Sequence, residues 1–225
     1  MTPALSLKDV HLTLSSRAGE VHILKGVSFD AKAGEAIGIV GPSGSGKTSL
    51  LMVMAGLEPV TSGQLFIRGA AVHGKSEGEL SKLRRDSVGI VFQSFHLIPT
   101  LTAVENVALP LEFKGVKNAE SLARDKLVEV GLGHRLTHYP GQLSGGEQQR
   151  VAIARALAAG AKIILADEPT GNLDQETGHA IMDLLFGIRQ NNDATLLLVT
   201  HDRNLASRCD RIIEVRDGLI SEGGR

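Results

Sequence analysis

Gly41-Pro42-Ser43-Gly44-Ser45-Gly46-Lys47-Thr48 is the stretch from which the rest of this chain is read. It has the spacing G-x-x-x-x-G-K-[ST], in which glycines let the backbone wrap an anion, the lysine counters phosphate charge and the last hydroxyl suits a magnesium ion. The run Ala36-Ile37-Gly38-Ile39-Val40 before it predicts a buried strand, and Ser49 to Ala55 after it predicts a helix that ends at Gly56. Strand, loop and helix in that order place a helix N-terminus, with unpaired N–H groups and a positive dipole end, beneath the phosphates. A nucleotide-binding P-loop is the expectation.

Composition sets wide bounds around it. At 225 residues the chain can bury a core in one domain, with room for a subdomain. Lys and Arg number 24 against 25 Asp and Glu, so no basic excess points to nucleic acid, and none is expected as a partner. The lone Cys209 excludes an internal disulfide and suits a reducing compartment; it reads as a small buried thiol. No apolar run approaches the ~20 residues that cross a bilayer. The start Met1-Thr2-Pro3-Ala4-Leu5 lacks a charged n-region and an apolar h-region. A cytoplasmic chain is expected, with any membrane role supplied by a partner.

In chain order, Leu5 to Val10 and Val27 to Asp30 alternate apolar and polar residues as half-buried strands do, with a turn over Ser15-Ser16-Arg17-Ala18-Gly19 between them. Gln64-Leu65-Phe66-Ile67 is expected to join them in a small antiparallel sheet. Ser76 to Asp86 reads as an exposed connecting helix. Val88 to Phe92 is a further strand, ending at Gln93. In open α/β sheets ligands sit beyond the carboxyl ends of strands, so Gln93 is either a polar strand cap or a group that reaches the metal or the attacking water. Thr102 to Phe113 and Ala119 to Val130 turn helical, with Val104, Val107, Ala108 and Leu111 on one face and Leu122, Leu127 and Val130 on another. Pro99 and Pro110 are read as punctuating the first of these helices, and Gly131 and Gly133 as closing the second.

Leu143-Ser144-Gly145-Gly146-Glu147-Gln148-Gln149-Arg150 follows. Ser144 and Glu147 have capping-box spacing, which accounts for a helix start. Gly145 and Gly146 fall outside that account and suit a backbone nest facing a second phosphate. Lys162 to Ala166 predicts a buried strand that delivers Asp167 and Glu168 at its end. Adjacent carboxylates are costly there unless one serves a cation, and strand alternation would turn them to opposite faces. A last buried strand, Leu196 to Thr200, ends at His201, which is either structural or part of the site, and Asp202 can cap the next helix.

Taken together, GPSGSGKT, Gln93, LSGGEQQR, IILADE, Gly171-Asn172-Leu173-Asp174 and His201 in this order resemble the ATP-binding subunit of an ABC transporter, over essentially the whole chain. VFQSFHLIPTLTAVENVALPL, ADEPTGNLD, LVTHD and RCDR resemble the lipoprotein-release and macrolide-export branch, and within it the YbbA-type ATPases that pair with a separate FtsX-like permease.

The resemblance implies an α/β fold, a P-loop NTPase of ABC ATPase type with an N-terminal antiparallel β subdomain and an inserted α-helical subdomain. It implies one ATP-binding domain over residues 1–225, with the helical part at about 94–160. Gly41, Pro42, Ser43, Gly44, Ser45, Gly46, Lys47 and Thr48 would hold ATP, with Thr48 and Gln93 on Mg2+ and Asp167 reaching that metal through water. Glu168 would act as general base, and His201 would bridge the γ-phosphate to this constellation. Ser144, Gly145 and Gly146 would bind ATP held by a second copy of the chain, and Asp174 would couple the two sites. The implied assembly is an ATP-sandwich homodimer, peripheral on the cytoplasmic face of the inner membrane. It would hydrolyse ATP to drive export or extraction of a hydrophobic or lipid-like substrate. Transmembrane mechanical signalling without transport is the alternative, and a soluble ABC ATPase is disfavoured by the absence of heptads and of an internal repeat. Closure would pass to the permease beside Gln93, along Phe95 to Thr102. One departure is Leu14, which aligns where many members carry an aromatic ring on adenine. Base stacking on a ring is worth about 1–3 kcal/mol, so similar half-saturation by ATP and GTP is expected.

Overall fold

Strands β1 (Leu5–Ser16) and β2 (Gly19–Ala31) run antiparallel, with Leu5 opposite Ala31 and Leu14 opposite Val21. The computed structural model describes residues 2–16 and 19–223, so Arg17 and Ala18 of the expected turn lie outside the described residues. Both strands extend well past the alternating segments seen in the sequence, through register shifts between Leu7 and Val10, Val10 and His11, and Leu12 and Thr13. Each such irregularity resets which side chains face the core.

After β3 (Ala36–Val40) and α1 (Lys47–Met54) the chain returns as β4 (Ser62–Ile67) and β5 (Ala70–Ala71), with β4 pairing on the free edge of β1. The order β2-β1-β4-β5 is the antiparallel sheet expected from the sequence. Then come α2 (Glu77–Ser87), β6 (Val88–Phe92), α3 (Ala103–Phe113), α4 (Ala119–Glu129) and α5 (Gly145–Ala158). The remainder is β7 (Ile163–Asp167), α6 (Gln175–Asn192), β8 (Thr195–Val199), α7 (Arg203–Ala206), β9 (Arg211–Arg216) and β10 (Leu219–Gly223). These strands form a second sheet in the order β10-β9-β3-β8-β7-β6, parallel except for β10.

Every residue of β3 and β8 is buried, as continuous apolar runs require when both faces of a parallel sheet are covered. The period-2 alternation sorts them. Ile37, Ile39, Ile163, Leu165, Leu197 and Val199 pack with α1 and the antiparallel sheet, while Ala36, Ile164, Ala166, Leu196 and Leu198 pack with α3 to α6. On that second side α5 comes so close to β6 that a Cβ at Gly89 would lie 2.3 Å from the Ala156 carbonyl oxygen.

Two expectations for the helices are corrected. The buried side of α4 is Ala119, Ala123 and Leu127 at strict four-residue spacing, followed by Val130, and Leu122 faces solvent at 37% exposure. Leu122 is five positions from Leu127, well round the helix from it. Pro110 lies inside α3 rather than at its boundary; it removes one helical bond but sits in the last turn, where the Lys114 N–H donates to its carbonyl at 3.2 Å. Cys209 is half-buried, and desolvation pushes its thiol up to about 12. Among the described residues no helix is long and apolar enough to cross a membrane.

The helix starts differ in a way that matters below. Helices α2, α3 and α5 each begin with a reciprocal capping box, Ser76 with Glu79, Thr102 with Glu105 and Ser144 with Glu147. Asp174 caps α6, and Asp202 caps α7 as expected. Helix α1 begins at Gly46 with no side-chain cap and no acidic residue in its first turn.

Candidate nucleotide site

The loop before α1 can be built only with glycine at its bends. Gly41, Gly44 and Gly46 have φ of 150°, 76° and 103°, and a Cβ at Gly41 would fall 2.1 Å from the Val215 carbonyl oxygen. The helix starts two residues earlier than the sequence suggested, which brings Lys47 and Thr48 into its first turn. The N–H groups of Lys47, Thr48 and Ser49 have no hydrogen-bond partner among the described residues. Over them the Lys47 amine folds back, its Nζ donating to the carbonyls of Gly41 at 2.9 Å and Pro42 at 2.8 Å. The Ser45 hydroxyl is buried without a partner. Open donors at a positive dipole end, an amine and a hydroxyl suit a polyphosphate.

Strand order brings the other candidates to the same rim, because β3, β8, β7 and β6 are consecutive neighbours. Gly41, His201, Glu168 and Gln93 follow their ends. Thr48 Oγ1 donates to Asp167 Oδ1 at 3.5 Å, joining α1 to β7. Burial raises the Asp167 pKa, and the neighbouring Glu168 charge adds to that; the Thr48 hydroxyl and the Lys47 charge act against it. A cation beside Asp167 would relieve the same penalty.

Asp167 and Glu168 do face apart, but not through strand alternation. The strand stops at Asp167, and Glu168 takes a left-handed conformation with φ of 46°. Its N–H donates to the Val199 carbonyl at 2.9 Å and its carbonyl accepts from Gly171 at 3.0 Å. The carboxylate then meets His201, with Oε2 2.6 Å from Nδ1. The imidazole is 75% exposed and the Glu168 side chain 21%, so an ordinary core role for His201 is excluded. Gln93 makes a reciprocal pair with Asn172. Its Nε2 donates to Asn172 Oδ1 at 3.2 Å and its carbonyl accepts from Asn172 Nδ2 at 3.0 Å. Among the described residues its side chain has no hydrogen bond to Thr48 or Asp167.

The turn Ser144-Gly145-Gly146 makes no hydrogen bond to residues 41–48 among the described residues. Ser144 Oγ accepts from the Glu147 N–H at 3.3 Å, and the Ser144 N–H donates to Glu147 Oε2 at 2.8 Å. The other oxygen of Glu147 accepts from Arg135 Nε at 2.8 Å. The capping hydrogen bonds and the Arg135 partner hold the Glu147 pKa below the usual carboxylate range, against desolvation. The glycine pair has an internal reason that the sequence did not reveal. A Cβ at Gly145 would lie 3.1 Å from Leu173 Cδ2, and one at Gly146 only 2.5 Å from Thr177 Cγ2. Yet the N–H groups of both glycines have no partner among the described residues. Asp174 Oδ1 accepts from the Thr177 N–H at 3.0 Å, and its pKa is lowered by the Thr177 hydrogen bonds.

Arg135, Asn172 and Gln149 were given no part by sequence reasoning. Arg135 is 12 residues from its partner and left no local signal. Gln149 left one, being polar at helical spacing from the buried Ala152 and Ile153. Leu14 is 40% exposed and faces Val21, 50% exposed, across the β1–β2 pair. Two residues along β2 the Ile23 carbonyl approaches Gly46, so Val21 of this apolar pair is carried by the strand that borders the loop.

A family model described as ABC transporter matches residues 24–171, which include the loop, both carboxylates and the glycine pair. The chain belongs to the ABC transporter ATP-binding family. It is an ABC ATPase. Over 225 residues it is 49% identical to the uncharacterized ABC transporter ATP-binding protein YbbA of Escherichia coli K12, covering 98% of this chain and 99% of that one. Identity is 44% over 223 residues to the lipoprotein-releasing system ATP-binding protein LolD of Shewanella denitrificans, covering 98% and 96%. It is also 44% over 222 residues to the macrolide export ATP-binding/permease protein MacB of Escherichia coli K12, of which this ABC chain spans only 34%. Among solved structures, the dimeric, post-hydrolysis ATP-binding cassette MJ0796 bound to ADP and Pi superposes with a TM-score of 0.90 at 43% identity, covering 97% of each chain.

Proposed function

We propose that this ABC ATPase, acting as one domain over residues 1–225 with its helical part at about 94–160, closes as a homodimer on ATP. Closure drives a separate FtsX-like permease that exports or extracts a hydrophobic or lipid-like substrate, with the ATPase on the cytoplasmic face of the inner membrane. The observation that carries this reading is that the chain holds two phosphate-seeking sites that do not meet. The loop 41–48 and the carboxylates 167 and 168 form one, and the unpartnered N–H groups of Gly145 and Gly146 form the other. A second copy turned head to tail would complete both. MJ0796 forms a dimer bound to ADP and Pi, and LolD and MacB are named for lipoprotein release and macrolide export.

In this reading Lys47 and the α1 N-terminus hold the phosphates. Thr48 and Gln93 would hold a magnesium ion, with Asp167 reaching it through water, and the ion would neutralise phosphate charge; such an ion takes only one or two protein carboxylates. Glu168 accepts the proton of the attacking water, and His201 orients its carboxylate. Ser144, Gly145 and Gly146 face the partner's ATP, with Asp174 one helix start away. ATP moves the dimer only through its greater affinity for the closed form; a shift from mostly open to mostly closed takes about 5.5 kcal/mol.

Glu168→Gln tests the reading. Turnover should fall by about 10²–10⁴ while ATP binding persists, and light scattering should show a stable dimer with ATP. A variant that binds ATP yet stays monomeric would refute the shared-site arrangement.

A further inference from the structure

We infer that Gln149 is a positioning residue for the general base: from the first turns of α5, its buried amide holds the Glu168–Pro169 turn in place. Gln149 is fully buried, and its Nε2 donates to the Pro169 carbonyl at 2.7 Å. Its Oε1 has no partner. A buried amide that is only half satisfied is unfavourable compared with an apolar side chain of the same size. The residue therefore contributes little as packing, and its one hydrogen bond is what distinguishes it. Proline has no N–H, so the carbonyl is the only backbone group through which Pro169 can be held.

What that bond secures is the unusual backbone next door. A glutamate at φ of 46° is outside the comfortable region for an L-residue and persists only where its surroundings over-determine it. Three of the restraints come from the sheet and its turn: the Val199 carbonyl, the Gly171 N–H and the His201 ring. Gln149 is the fourth, and it comes from the element that carries Ser144. With Gly145 packed toward Leu173 and Gly146 toward Thr177, the first turns of α5 and the segment 168–177 form one body. The surface offered to the partner's nucleotide thus moves with the base that serves the chain's own.

The inference rests on Glu168 being the base, so the test includes Glu168→Gln as a reference. Steady-state ATP hydrolysis is measured for the wild type, Gln149→Met and Gln149→Glu. Gln149→Met should lower kcat about tenfold, less than the ~10²-fold attached to a full ångström of displacement, with KM and nucleotide affinity unchanged. In Gln149→Glu the new side chain can donate to Pro169 only when protonated, and burial favours that form. Its kcat relative to wild type should therefore climb as pH falls from 8 to 6; dividing by the wild-type profile removes the native titrations. Wild-type kcat in both variants, kcat and KM shifting together, a ratio flat with pH, or loss of the cooperative melt in both would each overturn the inference. If Glu168→Gln keeps its turnover, the base assignment fails first. If it loses turnover while the Gln149 variants show no split, only the present inference fails.

Discussion

Helix α1 begins at Gly46 with a left-handed residue, no side-chain cap and three N–H groups without partners, whereas α5 begins at Ser144 with a reciprocal capping box braced by Arg135. Both starts are offered to phosphate in the proposed function. A side-chain cap is worth about 0.5–2 kcal/mol to a helix, and α1 forgoes it, so a bound anion there supplies what the sequence omits. Helix α5 needs no such help. Its cap is complete, and the N–H groups of Gly145 and Gly146 are left without partners among the described residues. In the proposed function, then, one half-site would be strengthened by its own ligand, and the other would stand capped and ready for a second copy.

The largest effect that could break this contrast is on affinity. Lys47→Ala removes the amine that folds over the loop, and hydrogen bonds to charged groups are worth about 1.5–3 kcal/mol. Titration calorimetry should show ATP affinity down by about 10²-fold; wild-type affinity would mean that the loop does not depend on its charge. Gly146→Ala should act on the other half-site alone. Its Cβ would meet Thr177 Cγ2, a β-branched and stiff side chain, and such overpacking costs about 1–3 kcal/mol. Roughly a tenfold loss of turnover is expected from the conversion of about 1.4 kcal/mol per decade, with nucleotide affinity of the monomer unchanged. A drop in monomer affinity would erase the distinction between the two starts.

The smallest effect concerns stability and pH. Because burial raises the Asp167 pKa, the folded chain holds that proton more tightly than the unfolded chain does. Stability from this group is then present at low pH and is lost as pH rises through the folded value. Asp167→Asn should raise the melting midpoint of the nucleotide-free protein at pH 7 by about 1–2 °C, a small step for a chain of this size. That gain should vanish once the pH falls below about 3, under the ordinary carboxylate value of the unfolded chain. A gain that is the same at both pH values would assign it to packing instead.

Much of this was legible beforehand because the deciding signals are local. The P-loop, the apolar runs of β3, β7 and β8, and the caps at Ser144 and Asp202 depend on neighbours a few residues away. What escaped reading depends on distant partners or on backbone torsion. Leu122 looked buried because several registers of α4 offer apolar residues, and only docking against α3 and α5 selects one. The left-handed Glu168 has no sequence mark, since proline after it restricts but does not reverse its φ. Gln93 at a strand end reads as a cap or a metal ligand, and no local signal marks its hydrogen-bond partner Asn172, which lies 79 residues away.

The order along the chemical rim is not the order of synthesis. Strand β8 is inserted between β3 and β7, although it follows both in the chain. A polypeptide still leaving the ribosome, complete to residue 190, owns the phosphate loop and both acidic residues but has an empty slot between the strands that carry them. Non-local pairings of this kind are slow to form, and His201, whose ring meets Glu168 at 2.6 Å, is still missing from a chain of that length, so the rim is assembled only once β8 has entered the sheet.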